Sequence, residues 1–108
     1  MDLMLALKAL ANPVRLQILN WLREPHRYFA DQQVGDLDND GVCVSVIQRR
    51  ADLSQSTVSQ YLTDLQRAGL VQSKRVGQWT YYRRDEEGIR RFLDELERAI
   101  GSGKPDSS

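Results

Sequence analysis

The segment Gln55-Ser56-Thr57-Val58-Ser59-Gln60-Tyr61-Leu62-Thr63-Asp64-Leu65-Gln66-Arg67 alternates its polar and apolar side chains at helical spacing. Val58, Tyr61, Leu62 and Leu65 share one arc of a helical wheel and must face a core. The opposite arc holds Ser56, Ser59, Gln60, Thr63 and Arg67, with Gln55 near its amino end. Short amides and hydroxyls are what base edges in a major groove require: Gln offers adenine a paired donor and acceptor, and Ser or Thr serves as either. A surface helix kept only for solubility more often carries Glu and Lys there. The material for catalysis is thin by comparison. One histidine, His26, and one cysteine, Cys43, lie far apart in sequence, so a nucleophile with base and orienting partner is not expected.

The elements around this segment explain how it would be presented. Leu3, Leu7 and Leu10 predict a first short helix, and Asn12-Pro13 supplies the cap and first position of a second. Val14, Ile18, Trp21 and Leu22 form the second helix's inward stripe, and Pro25 ends it. His26 to Gly41, rich in Asp, Gln and Gly, reads as a loop that is long for a compact domain. A short helix over 44–51 follows, then the tight turn Asp52-Leu53-Ser54, with Ser54 capping the next helix and Gly69 stopping it. Leu70 to Val76 and Trp79 to Arg83 read as strands joined by Gly77-Gln78, a two-residue type II′ loop. Asp85 caps a last helix whose apolar residues are Ile89, Phe92, Leu93, Leu96 and Ile100.

A short helix, a tight turn and a longer helix make a helix-turn-helix, and the hairpin behind it makes a wing. The predicted fold is therefore mainly α with a small antiparallel hairpin, in the order α-α-α-α-β-β-α. Residues 1–100 form the domain, 26–43 an inserted acidic loop, and 101–108 a flexible polar tail. The wing carries Lys74, Arg75, Arg83 and Arg84, cations that suit phosphates. Trp79, Tyr81 and Tyr82 are expected to pack rather than to stack on bases.

At 108 residues, 41% hydrophobic and 28% charged, the chain has the composition of one globular domain. Its basic and acidic residues cancel, but unevenly. Val44 to Arg84 carries seven cations against Asp52 and Asp64, whereas Glu24 to Cys43 and Asp85 to Ile100 are acidic. That asymmetry suits a basic working face backed by acidic surfaces. No apolar run approaches the ~20 residues of a membrane span. Met1-Asp2-Leu3-Met4 lacks the basic start of a secretory signal, so a cytoplasmic chain is expected. Leu3, Met4, Leu5, Leu7, Phe92, Leu96 and Ile100 exceed what so small a core needs, which suggests pairing of the first and last helices across a two-fold axis.

Several stretches together resemble the ArsR/SmtB family of bacterial transcription regulators: Ala11 to Leu19 (A-N-P-V-R-L-Q-I-L), Leu53 to Leu62 (L-S-Q-S-T-V-S-Q-Y-L), Ala68-Gly69-Leu70-Val71, and the wing Gly77 to Tyr82. The resemblance implies a winged-helix homodimer paired through its first and last helices. It also implies repression by binding an imperfect inverted repeat in double-stranded DNA, with release on a signal. By position, Gln55, Ser56, Thr57, Ser59 and Gln60 match the family's reading segment and Gly77-Gln78 its wing tip; from the exposed arc and the wing cations, Thr63, Arg67, Lys74 and Arg75 are expected as further DNA contacts.

Two departures qualify this. Metal-sensing members often carry a Cys-x-Cys pair where this chain has Cys43 and Ser45, and a hydroxyl is a poor ligand for soft metals; the last helix, used by other members for zinc-type sites, has acids but no histidine. No cofactor or family-type metal is expected, and Cys43 is either a small core residue or a redox-responsive thiol. The long loop contains Asp36-Leu37-Asp38-Asn39-Asp40-Gly41, the opening of a calcium loop, but the twelfth position is Ile47 rather than Glu. Turn formation explains it better. Two readings remain open beside the repressor: a winged helix that binds protein without reading DNA, and a repressor controlled by Cys43.

Overall fold

Four helices begin at a side chain that caps them: Asp2, Asn12, Ser54 and Asp85. In the computed structural model, which describes residues 1–103, the order is α1 (Leu3–Leu10), α2 (Pro13–Arg23), α3 (Pro25–Tyr28), β1 (Val42–Cys43), α4 (Val44–Ala51), α5 (Gln55–Arg67), β2 (Val71–Val76), β3 (Trp79–Arg84) and α6 (Glu86–Ile100). Asn12 Oδ1 accepts from the backbone N–H groups of Val14 and Arg15 at 2.9 and 3.0 Å, satisfying two donors that the first turn of α2 leaves unpaired. The far end of α5 is closed as firmly. Gly69 takes φ +79°, its N–H donates to Gln66 O, and Leu70 N–H donates back to Leu65 O. That pair of bonds is the Schellman arrangement, with Leu65 and Leu70 both fully buried beneath it.

The three strands form one antiparallel sheet in the order β1-β3-β2. Val76 faces Trp79 across a two-residue loop, and the positive φ falls on Gly77 and not on Gln78, the type II′ pattern. The sheet corrects the sequence reading, which had a hairpin alone. Val42 and Cys43 pair with Tyr82 and Tyr81, so the end of the predicted loop is a strand. The start of that loop is a helical turn, because Pro25 ends α2 and then occupies the first position of α3. The order is thus α-α-α-β-α-α-β-β-α. Of the predicted polar tail, 104–108 lie outside the described residues.

Val58, Leu62 and Leu65 of α5 are fully buried, together with Ile18 of α2, Ile47 of α4 and Leu70. In α1 the inward residues are Ala6 and Ala9, while Leu3, Leu7 and Leu10 are half-buried around them. Small side chains at the contact let α1 lie close against its neighbours. Ile89 and Phe92 anchor α6 in the core, which moves Phe92 out of the predicted pairing surface. Past Phe92 the apolar residues of α6 lose cover: Leu93 is 42% and Ile100 76% exposed, and on α1 Met4 is 59% exposed. Among the described residues, no helix is long and apolar enough to cross a membrane.

Candidate nucleic-acid interface

The reading helix owes its start to a left-handed residue. Asp52 ends α4 at φ 55° and ψ 45°, and its N–H bonds to Gln48 O at 2.9 Å. The chain then turns so that Ser54 Oγ accepts from Thr57 N–H and donates to Thr57 Oγ1 at 2.8 Å. With Val58, Leu62 and Leu65 held inside, the other arc of α5 must face solvent.

Gln55, Ser56, Gln60 and Arg67 stand exposed on that arc, and Ser59 and Thr63 are half-buried along its flank. Not all of these polar groups are available to a ligand. Thr57 is occupied by the Ser54 cap, and Thr63 Oγ1 donates to Ser59 O at 2.9 Å. Gln60 Nε2 donates to Asp64 Oδ1 at 3.0 Å, and Asp64 is itself held by Arg15, whose Nη1 lies 3.3 Å from Oδ2. Sequence reasoning missed Arg15 and Asp64. The one acid on the outer part of α5 was a signal, but its partner lies 49 residues away.

The wing cations divide by face. Cross-strand partners share a face of a sheet, so Lys74 lies with Tyr81 and Cys43, and Arg83 with Gln72, on one side. Arg75 lies on the other side with Thr80. The acidic loop covers the first side. Lys74 Nζ pairs with Asp40 Oδ1 at 2.8 Å, and Arg83 donates to Asn39 O. Gly35, at φ +78°, touches the Tyr81 ring, where a Cβ would come within 2.5 Å of the ring carbon Cε1. Gln32 ties the loop's end down, donating to Gly41 O and accepting from Cys43 N–H at 2.8 Å. The loop is therefore a fitted cover on one wing face.

These contacts leave a marked electrostatic imprint. The hydrogen bond from Lys74 holds the Asp40 carboxyl below its ordinary range, with help from the Asp36 backbone. Asp40 therefore supports the folded loop fully at pH values above about 4, and that support is lost as pH falls through the depressed value. Burial raises the Tyr81 phenol, and the neighbouring Cys43 and Asp40 raise it further. Arg84 pairs with Glu86 at 2.8 Å, and Arg50 lies over the rings of Trp21 and Tyr28. Among the described residues, Arg67 and Arg75 make no ion pair, and Arg75 and Gln78 flank the exposed tip at Gly77.

The metal and calcium readings find no support in the donor set. Cys43 is 1% exposed, and its Sγ meets Ser45 Oγ at 3.3 Å; one thiol and a hydroxyl do not fit a soft metal that takes several thiolates or imidazoles. The thiol has almost no solvent exposure and lines a small cavity with Gln32, Val34 and Trp79. In the loop, Asp36 Oδ1 accepts from Asp38 N–H, Asp36 Oδ2 accepts from Asn39, and Asp38 meets His26 Nε2 at 2.6 Å. The carboxylates build turns and pairs, as the turn reading expected. No group of three or more His, Cys, Asp or Glu able to hold a metal ion occurs among the described residues. Tyr81 and Tyr82 are buried, as expected of packing residues, whereas Trp79 is 36% exposed near the tip.

Comparison with known proteins agrees with this geometry. Residues 37–73 match the family model described as bacterial regulatory protein, arsR family. The chain is 53% identical over 93 residues to the uncharacterized HTH-type transcriptional regulator YbzH of Bacillus subtilis, covering 86% of this chain and 93% of that one. It is 35% identical over 92 residues to the transcriptional activator HlyU of Vibrio cholerae, covering 85% of this chain and 71% of that one. Its fold matches the homodimeric winged helix-turn-helix DNA-binding domain of Mb0332 from Mycobacterium bovis with a TM-score of 0.59 at 28% identity, over 94% of this chain and 85% of that one. With a tight turn, an outward helix face and a wing behind it, the chain belongs to the ArsR family of winged helix-turn-helix transcriptional regulators.

Proposed function

We propose that the chain is a repressor that binds an imperfect inverted repeat in double-stranded DNA as a homodimer, presenting one α5 to each half-site. The observation that carries this reading is the outward arc of α5, where Gln55, Ser56 and Gln60 stand exposed with no acid beyond the neutralised Asp64. Gln55, Ser56, Ser59 and Gln60 contact base edges, with Thr57 and Thr63 shaping the helix that carries them. Arg67, Arg75 and Gln78 meet the backbone, and Lys74 does so to the extent that Asp40 releases it. Pairing uses the open apolar surface of α1 and α6, as a two-fold operator requires. Occupancy of a promoter suffices for repression, because a bound dimer excludes polymerase without a recruiting contact. The releasing signal acts by favouring a dimer geometry that no longer matches the half-site spacing.

Selection of bound fragments from random DNA tests the reading directly, and an inverted repeat is the expected outcome. A reporter carrying that repeat at a promoter should fall in output when the protein is present. A rise instead would assign it to activation. In mobility-shift titrations, Gln60→Ala should relax preference at one base pair of each half-site by about tenfold. Arg75→Ala should leave base preference intact and flatten log affinity against log salt by about 0.9 for each phosphate the side chain neutralises. Lys74→Ala should flatten it less, since its charge is already paired. Affinity insensitive to salt would favour the protein-binding alternative.

A further inference from the structure

We propose that Asp64 is a positioning residue that sets which base Gln60 accepts, by removing one of the two donors of the Gln60 amide. This rests on the reading that Gln60 meets a base edge. A free glutamine side chain is ambiguous. Its Nε2 carries two hydrogens, so it can give both to the paired acceptors N7 and O6 of guanine, or give one and accept one at adenine. In this chain the ambiguity is resolved by a neighbour one helical turn on. Gln60 Nε2 donates to Asp64 Oδ1 at 3.0 Å. A carboxylate only accepts, so the amide must turn its nitrogen toward Asp64. What remains for DNA is one N–H and the Oε1 acceptor, the pattern adenine presents and guanine does not.

The arrangement needs Asp64 itself to be held and its charge offset. Arg15 does both. Its Nη1 meets Asp64 Oδ2 at 3.3 Å, while Nε donates to Ala9 O at 2.7 Å and Nη2 to Lys8 O at 3.2 Å. Its guanidinium also lies 5.3 Å from the centre of the Tyr61 ring. The Arg15 side chain is 17% exposed and Asp64 31%, so water competes only partly for the pair. The cation is fixed by the last carbonyls of α1, the carboxylate is fixed by the cation, and the amide is fixed by the carboxylate.

The test uses the full chain and a duplex carrying the repeat it selects from random DNA, with every base pair of one half-site varied in turn. In Asp64→Ala, the adenine-over-guanine preference at the position read by Gln60 should fall about tenfold, with the other positions unchanged. Asp64→Asn, which keeps an acceptor but adds a donor, should fall between. Gln60→Ala and the double variant Gln60→Ala/Asp64→Ala should be alike, since Asp64 acts only through the amide. A wild-type preference in Asp64→Ala, with Gln60→Ala impaired, would overturn the positioning role and leave base reading by Gln60 intact. No effect of Gln60→Ala would overturn the base reading and this inference with it. An equal loss at every position would reveal a displaced helix and also overturn it, and urea unfolding of Asp64→Asn separates that from a folding defect.

Discussion

Gly88→Ala is expected to destabilise the protein by about 3 kcal/mol, near the top of the range for overpacking a core. Gly88 is buried in the first turn of α6, where its N–H donates to the Asp85 cap at 2.9 Å. A Cβ at that position would lie 1.8 Å from Gly69 O and 3.2 Å from Asp85 Cγ. Neither neighbour can yield cheaply. Gly69 holds the left-handed conformation that ends α5, and Leu70 O accepts from Asp85 N–H at 3.0 Å on the other side of the contact. Either the close of the reading helix or the start of α6 must break. For a domain of this size the loss corresponds to a fall in Tm of roughly 15 °C. Thermal unfolding at matched protein concentration measures it, and a Tm within a few degrees of the parent would show that the two backbones separate easily.

The second large effect concerns pairing. Leu93→Glu with Ile100→Glu should leave a folded protomer that no longer pairs, because both side chains are largely exposed in the single chain. In the proposed two-fold contact the introduced carboxylates would face their own copies and lose their hydration. Affinity for the full inverted repeat should drop by about 10²–10⁴, the advantage that linking two reading helices confers. Affinity for an isolated half-site should hardly change. Sedimentation and mobility shift give both numbers, and an intact dimer would move the pairing surface away from the end of α6.

The helix-turn-helix was legible because its signals are local. Ser54, Gly69, Asn12-Pro13, Asp85 and Gly77-Gln78 each act within a few residues, and each does in the structure what its type dictates. β1 was not legible, since a two-residue strand has no room for alternation and is defined by partners about 40 residues on. Pro25 was read only as a stop, although the same residue starts α3. Gly35 lies in a stretch that read only as loop, while its lack of a side chain admits the Tyr81 ring. The candidate site divides the same way. Which face of α5 points outward followed from periodicity, but the Arg15–Asp64–Gln60 relay joins α2 to α5 and leaves no mark in spacing. The positions of Lys74 and Arg75 were visible too, yet only cross-strand register tells that the acidic loop neutralises one and not the other.

The strand order β1-β3-β2 has a consequence for solution behaviour, because among the described residues it leaves β2 with one flank of its backbone unpaired. An open ladder of N–H and C=O groups invites a strand from another molecule, and long cationic side chains are what natural edges use to refuse it. Arg75 stands on that rim without an ion pair among the described residues, while the charge of Lys74 on the opposite face is offset by Asp40, so a second ribbon meets its positive charge on the Arg75 side. Neutralising Arg75 should open a route to edge-to-edge fibres quite apart from any effect on promoters.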